Sequence, residues 1–480
     1  SSPRHSRRAR LHFGWVLSVG LAATVSSGQE LERTLLSTDL WSMEASHVQE
    51  RLTPLGFRPV SKEAEADWRV FRPKDRVFGL QPMEILVSFQ EARVSAIKFF
   101  FHSRGDQGVL SETDFRSLVT QACEGVTHWA GTTGQPRREE RRAERQYVSG
   151  RTWIRGDLQL DMEWAWSTGE DKRDFRSEYL KAVLQLHDPS KRAVILSGYR
   201  QRDSGATGIK LLTLPELRKR VERRLNSDVV IPGVPMVDQG EKGYCAVATV
   251  ERLLRFYGLA VDQHTLAQWA GSDAERGTEP QALIGALRRM ASQTRLRVVA
   301  LRDLEATSDW RDGHLIVRMP KNLLDLIRVY NRLARREKAP ELTAANLSKS
   351  GSIANVYRMM IPELLRQAKL SDEAGRNRFM MDVQQFIDAG VPLVWGVTVG
   401  LVSEKEIVFS GSRRGARPGN RGEPVLEGHL RLITGYNSKT GEILYSDTWG
   451  VGHEEKRMPL NDAWMITEGL YAVIPSHIRL

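Results

Sequence analysis

Residues 239–248 read Gln239-Gly240-Glu241-Lys242-Gly243-Tyr244-Cys245-Ala246-Val247-Ala248. Apolar residues at helical spacing follow this stretch, namely Val250, Leu253, Leu254 and Tyr257. Gly258 comes directly after them and is a natural helix stop. The pattern predicts a buried helix with Cys245 in its first turn.

The start of this predicted helix suits a reactive thiol. Unpaired backbone N–H groups and the positive end of the helix dipole favour the thiolate of Cys245 over its thiol. Acyl transfer by a thiolate also needs a proton-handling partner and donors aimed at the developing oxyanion. The side-chain amide of Gln239 and the backbone N–H of Cys245 are the candidate donors. Gly240 and Gly243 let the backbone approach a substrate closely.

Three further motifs accompany this stretch: Gly277-Thr278-Glu279-Pro280 before a helix, Gly428-His429-Leu430-Arg431-Leu432-Ile433-Thr434-Gly435-Tyr436-Asn437, and Ser446-Asp447-Thr448-Trp449-Gly450. Together they resemble papain-like cysteine peptidases, and more narrowly the branch of double-glycine leader (bacteriocin-processing) peptidases, in which Gln precedes the catalytic Cys by six. The resemblance covers roughly residues 230 to 475. It implies a triad of Cys245, His429 and Asp447 with Gln239 as oxyanion donor, and no cofactor or metal.

The residues around His429 and Asp447 support the same constellation without the resemblance. His429 begins a predicted strand, residues 437–440 form a predicted turn, and residues 441–447 form the returning strand. This hairpin brings Asp447 nearly opposite His429, where a carboxylate can hold the imidazole in one tautomer. A lone His in a strand is more often a core residue, and an Asp at a strand end is more often a turn former. Their joint occurrence with Gln239 and Cys245 favours the functional interpretation.

Other candidate residues are interpreted as structural. His264 lies where a helix starts and His453 neighbours two acids, so we expect neither to be the base. Trp449 is expected to pack beside the site. Cys123 lies beside the apolar face of a predicted helix and is interpreted as a small buried hydrophobe. A disulfide between Cys123 and Cys245 remains an alternative.

The fold class predicted is α+β, with two domains after a leader. Residues 1–28 read as a secretory signal, with an Arg-rich start, an apolar stretch over residues 11–25 and then small residues. Residues 30–190 combine helical and alternating patterns, including a period-two stripe over 158–166, and form an α+β domain of unknown role. Residues 191–228 are the predicted linker with a charged helix. Residues 229–480 form the predicted papain-like domain, with a helical insertion near 305–375.

Composition limits the partners. A chain of 480 residues exceeds what one core usually supports, and its formal net charge of +11 favours anionic partners. Basic residues are interleaved with acids, however, so no nucleic-acid partner is expected. No spanning segment is expected beyond a possible N-terminal signal or anchor. The expected partner is a peptide or protein substrate in the periplasm, the cell envelope or the medium, and the oligomeric state stays open.

Two departures from the leader-peptidase pattern bear on specificity. The chain has no transporter or nucleotide-binding segment, so specificity for double-glycine leaders is not carried over. A Gly/Arg-rich stretch over residues 411–422 precedes His429, and a mobile flap and a surface excursion are equal interpretations of it. Hydrolysis, deamidation and transfer to an amine share one thioester intermediate, and a non-catalytic binding module that keeps the fold is a further alternative.

Overall fold

A computed structural model describes most of the chain: residues 30–63, 66–143, 145–168, 174–188, 211–240, 244–259, 261–272, 280–289, 295–303, 307–311, 314–318, 321–347, 353–404 and 426–480. Within these residues the structure is mixed helix and sheet, with two large antiparallel sheets. The predicted signal over residues 1–28, the motif residues Gly277 to Glu279 and the Gly/Arg-rich stretch 411–422 lie outside them. No helix among the described residues combines the length and the apolar character needed to cross a membrane.

The first sheet is formed by residues 58–186. Its strands are β1 (Arg58–Pro59), β2 (Trp68–Phe71), β3 (Glu84–Gln90), β4 (Arg93–Ser103), β5 (Gln135–Ala143), β6 (Gln146–Arg155), β7 (Leu158–Thr168) and β8 (Phe175–Leu186). They pair in the order β1-β2-β3-β4-β8-β7-β6-β5. The helices of this region are α1 (Glu30–Leu35), α2 (Ala45–Leu52), α3 (Arg104–Gln107) and α4 (Glu112–Ala130).

One face of this sheet packs against α4. The helix begins after Ser111, whose side chain accepts a hydrogen bond from the backbone N–H of Asp114. Its residues Phe115, Ala122 and Val126 are buried against Leu160 and Met162 of the predicted period-two stripe in one apolar core. The side chains that alternate with this stripe include Asp161 and Glu163, and they too are buried. The sheet is therefore covered on both faces.

The C-terminal half contains the second large sheet and a separate two-stranded sheet. The strands are β9 (Glu222–Arg223), β10 (Asp228–Val230), β11 (Leu296–Asp303), β12 (Thr307–Arg311), β13 (His314–Arg318), β14 (Leu393–Val399), β15 (Glu427–Asn437), β16 (Glu442–Ser446), β17 (Lys456–Pro459) and β18 (Thr467–Pro475). The sheet runs β11-β18-β14-β15-β10-β9, and β16 joins β15 to β17. The helices are α5 (Leu214–Lys219), α6 (Cys245–Phe256), α7 (Gln263–Ala270), α8 (Pro280–Arg289), α9 (Lys321–Arg336), α10 (Ala344–Leu347), α11 (Ile353–Arg358), α12 (Pro362–Leu370), α13 (Glu373–Asp388) and α14 (Leu460–Ile466).

The C-terminal end of the predicted linker over 191–228 contains its charged helix, α5, and a strand, β10, and both pack with the second sheet. Strand β10 pairs with β15, and α5 contributes the fully buried Leu217 to the core of the second sheet. Leu211 is buried in that core as well. Residues 211–228 therefore pack with the C-terminal unit. Although the segment is rich in charged residues, the burial of its few apolar side chains holds it against the core of the second sheet. Residues 189–210 lie outside the described part of the chain.

The predicted helical insertion near 305–375 begins instead with a hairpin. Strands β12 and β13 pair antiparallel, from Thr307 opposite Arg318 to Arg311 opposite His314. The sequence between them is Asp312-Gly313, a dipeptide that favours tight hairpin turns. Helices follow from Lys321, and α9 and α12 share a small core of their own that includes Leu323, Tyr330 and Leu365.

Candidate active site

Cys245 is the first residue of α6, as the sequence predicts. The helix is buried along nearly its whole length, and Cys245 itself is half-buried at its start. Tyr244 precedes it with φ of −100° and ψ of 14°, so the chain turns into the helix directly before the thiol. The first-turn N–H groups have no carbonyl four residues earlier in the helix to bond, and they make the surroundings of the sulfur electropositive.

Strands β15 and β16 bring His429 and Asp447 into contact. His429 Nε2 and Asp447 Oδ1 form a hydrogen bond and ion pair. The sequence predicts Asp447 nearly opposite His429, and the pairing of Leu432 with Ser446 places it across from Arg431, two positions from His429. Side chains two residues apart lie on the same face of a strand, so this register puts Asp447 beside both His429 and Arg431.

The imidazole of His429 also hydrogen-bonds the thiol of Cys245. Burial lowers the pKa of His429, but the charge of Asp447 and the hydrogen bonds to Asp447 and Cys245 outweigh burial and raise it to about 9. Burial raises the pKa of the Cys245 thiol, yet the hydrogen bond and charge of His429 and the N–H groups of Leu430 and Ala246 bring it below its usual value. The pair therefore favours thiolate and imidazolium near neutral pH.

A buried guanidinium holds the other oxygen of Asp447. Arg431 Nε lies 3.0 Å from Asp447 Oδ2, and both side chains are fully buried. Burial raises the pKa of Asp447, but the charges of Arg431 and His429 bring it well below its usual range. Glu404 accepts two hydrogen bonds from Arg431, at 3.0 and 2.9 Å, and a third from the hydroxyl of Tyr445 at 3.0 Å.

Arg431 belongs to a sequence motif but has no predicted role, and Glu404 is not among the residues predicted from the sequence. Arg431 does carry a signal, because a lone cation in an apolar strand needs a buried partner. Glu404 had no such signal. It reaches Arg431 from the segment after β14, across 27 positions of the chain.

Gln239 is held by the segment that follows Asp447. Its side-chain Oε1 accepts a hydrogen bond from the hydroxyl of Thr448 at 2.6 Å, and its backbone N–H donates to the Thr448 carbonyl at 2.9 Å. The Thr448 contact occupies the acceptor end of the amide, so Nε2 is the end that can donate. Gly240 follows with φ of +66°, a backbone conformation that favours glycine. Residues 241–243 lie outside the described part of the chain.

Arg252 joins the helix of Cys245 to the strand end that carries Asp447. This buried side chain donates to the carbonyl of Asp447 at 2.7 Å, to Ser446 Oγ at 2.5 Å and to the carbonyl of Pro235 at 2.8 Å. Burial lowers its pKa to about 10. Three acceptors from two segments therefore fix the position of Asp447 relative to α6.

The remaining candidates have other positions. The indole of Trp449 stacks on the His429 ring, with centroids 4.7 Å apart and planes 17° apart. The backbone carbonyl of His453 accepts from the N–H of Asp447 at 2.9 Å. His264 lies in α7, where its ring packs 4.2 Å from that of Phe100 in the first sheet. These positions agree with the packing and structural interpretations.

Both cysteines are free thiols. Cys123 Sγ lies 3.9 Å from Met162 Sδ in the first core, and burial raises the pKa of its thiol. The disulfide alternative is thus not the arrangement found. In the part of the chain that the structure describes, no cluster of His, Cys, Asp and Glu side chains is arranged to hold a metal ion.

The chain has a weak likeness to a solved structure. A solved structure of xylellain, a cysteine protease from Xylella fastidiosa, matches at 13% identity with a TM-score of 0.26, over 60% of this chain and 99% of that chain. No protein-family model and no curated protein matches the chain. The chemistry of the site follows from the contacts of Cys245, His429 and Asp447 and not from this likeness.

Proposed function

We propose that this protein is a cysteine peptidase that hydrolyses peptide bonds with Cys245 as nucleophile. The observation that carries the proposal is the continuous chain of contacts from Asp447 through His429 to Cys245 at the start of a buried helix. A thiol whose pKa lies below its usual value, beside an imidazole whose pKa is raised, is the arrangement that nucleophilic catalysis by cysteine needs.

The reaction would run in two halves. The thiolate of Cys245 attacks the carbonyl carbon of the scissile bond, and the oxyanion accepts hydrogen bonds from Gln239 Nε2 and the N–H of Cys245. The imidazolium of His429 gives its proton to the leaving amine, which departs and leaves a thioester. Water then attacks the thioester as His429 takes its proton, and the carboxylic acid product leaves with Cys245 regenerated.

Asp447 acts on His429 and not on the substrate. Its carboxylate stays ionised because Arg431 lies against one oxygen, and the other oxygen orients the imidazole. The ring nitrogen that remains, Nδ1, is then the one available to Cys245. Arg431 and Glu404 are positioning residues in this scheme, since they reach the reaction only through Asp447.

The Gln239 spacing and the two C-terminal motifs support a relation to the double-glycine leader branch, without its leader specificity. The pattern of residues 1–28 supports an exported enzyme, placed in the periplasm, the envelope or the medium. Deamidation and transfer to an amine use the same kind of thioester. Deamidation differs from peptide hydrolysis in the amide that is attacked, and transfer differs in the second nucleophile.

Labelling of the two free thiols tests the proposal, and Cys123 serves as the internal control for Cys245. Native protein is treated with iodoacetamide near neutral pH and the alkylated positions are mapped by mass spectrometry. We expect fast modification of Cys245 and slow modification of Cys123. On peptide and protein substrates Cys245→Ala should be inactive and Cys123→Ala should keep its activity. Retained activity in Cys245→Ala would contradict the peptidase, and equal slow labelling of both thiols would favour the non-catalytic binding module.

A further inference from the structure

The segment that carries Gln239 is held from the first sheet. Arg69 of β2 donates from Nη1 to the backbone carbonyl of Asp238 at 2.8 Å, and its Nη2 lies 3.1 Å from Asp238 Oδ2. Asp238 directly precedes Gln239, and its Oδ1 accepts from the N–H of Gly240 at 2.7 Å. A cation from one half of the chain thus braces the turn on which the candidate oxyanion donor lies.

Arg69 is anchored on its own side as well. Its side chain is only 13% exposed, and Nη1 lies 3.7 Å from the buried carboxylate of Glu84 on β3. A guanidinium shared between two carboxylates and a carbonyl has little freedom to move. The contact therefore fixes the position of residues 238–240 relative to the first sheet, in addition to its effect on charge.

The residue before the nucleophile is held in the same way. The hydroxyl of Tyr244 lies 2.6 Å from Ser103 Oγ at the end of β4, and both groups are buried. The ring passes so close to Gly105 that a Cβ there would lie 2.3 Å from the Tyr244 hydroxyl oxygen. Only glycine leaves room for Tyr244 at this point, because the ring is enclosed.

A third contact with the first domain lies at the C-terminal end of α6, the helix that begins at Cys245. Arg255 Nη1 in the last turn of α6 lies 3.0 Å from Oδ2 of Asp67, a carboxylate that is 5% exposed. Charged and hydroxyl groups from residues 67–103 therefore hold both ends of α6 and the segment before it. The sequence alone assigns no role to residues 30–190.

Resting on the proposed function, we propose that the first domain, residues 30–188, builds the active site by positioning it. Arg69 and Ser103 are the positioning residues. Arg69 sets Gln239 through Asp238, and Ser103 sets Cys245 through Tyr244. Both act on groups that stabilise the transition state and not on substrate contacts, so their loss lowers kcat and leaves KM nearly unchanged.

A variant of Arg69 tests the position of Gln239 separately from the reactivity of the Cys245 thiolate. Arg69→Gln should lower kcat on the order of 10-fold, since displacing a catalytic group by less than 1 Å is enough for such a loss. Alkylation of Cys245 should keep its rate, because that reaction has no oxyanion. The matched control is Arg93→Gln, which breaks an exposed ion pair with Glu44 within the first domain at 3.2 Å. It should leave kcat unchanged.

The hydrogen bond between Ser103 and Tyr244 can be removed by a substitution at either residue. Ser103→Ala and Tyr244→Phe should each lower both kcat and the alkylation rate of Cys245, and the double variant should be no worse than either single one. Ser103→Thr keeps a hydroxyl and should restore both rates. Tyr257→Phe is the control, because it removes a buried hydroxyl at the C-terminal end of α6 that donates to the carbonyl of Val473 at 2.8 Å.

A measurement without substrate keeps this inference separate from the peptidase proposal. Amide hydrogen exchange followed by mass spectrometry should show faster exchange over residues 236–250 in Arg69→Gln and Tyr244→Phe, and no change there in Arg93→Gln. If these two variants exchange faster and the wild-type protein hydrolyses no peptide, the proposed function is wrong and the positioning role stands. Unchanged exchange together with unchanged kcat would overturn the positioning role while the peptidase stands.

Discussion

Arg431 and Asp447 form a fully buried ion pair, with Nε of one 3.0 Å from Oδ2 of the other. The other oxygen of Asp447 forms a hydrogen bond with His429, and the two terminal nitrogens of Arg431 donate to Glu404. The carboxylate next to the imidazole is thus one member of a buried network whose charges depend on one another. Removing a single member leaves an uncompensated charge among buried side chains.

Arg431→Gln should destabilise the fold and inactivate the enzyme. Two buried carboxylates, Glu404 and Asp447, would lose their shared cation, at a cost of about 3–5 kcal/mol in the free energy of unfolding. Denaturant unfolding measures the loss. Arg366→Gln is the control, because Arg366 and Asp462 form a partly exposed pair at 3.5 Å and their separation should cost about 1 kcal/mol or less. Equal losses in the two variants would argue against the buried network.

Asp447→Asn should shift the pH dependence of the reaction. The carboxylate raises the pKa of His429 to about 9, so an amide in its place should return that pKa towards 6.5. The alkaline limb of kcat/KM, where the imidazolium loses its proton, should then move from near pH 9 to lower pH. Peptide hydrolysis measured from pH 5 to 10 tests this, and an alkaline limb that stays in place would refute the role given to Asp447.

His429→Ala should raise the pKa of the Cys245 thiol. Burial of the thiol would then act without the opposing hydrogen bond and positive charge of His429. We expect alkylation of Cys245 to become slow at pH 7 and to recover above pH 9, whereas the wild type reacts at both values. Cys123 serves as the internal reference in every sample. A pH profile of Cys245 alkylation that does not move would show that the imidazole does not set the thiolate.

Gln239→Ala should lower kcat on the order of 10²-fold, as expected for one oxyanion donor. Thr448→Val removes the hydroxyl that holds Gln239 Oε1 at 2.6 Å, so the amide can rotate and a smaller loss should follow. Neither variant should change the alkylation rate of Cys245. Steady-state kinetics with paired labelling checks this, and a loss in labelling equal to the loss in kcat would mean that Gln239 supports the thiolate and not the oxyanion.

Local patterns in the sequence indicated much of the secondary structure and the residues of the candidate site. The apolar spacing after Cys245 placed the start of α6, and the alternation over residues 158–166 placed β7, because both depend on which side chains a single element must bury. His429 and Asp447 could be named together since a short turn joins their strands. Where long stretches were judged by composition, as in residues 191–228 and 305–375, the structure contains paired strands and buried apolar residues that composition did not indicate.

Contacts between distant segments were decided only by the tertiary structure. The register of β15 and β16 placed Asp447 beside Arg431, and the fold then brought Glu404 to the same guanidinium. The contacts of Arg69 with Asp238 and of Ser103 with Tyr244 join residues 169 and 141 positions apart. A periodic pattern shows that a side chain needs burial or a partner, but the partner depends on how the sheets pack, which no local pattern encodes.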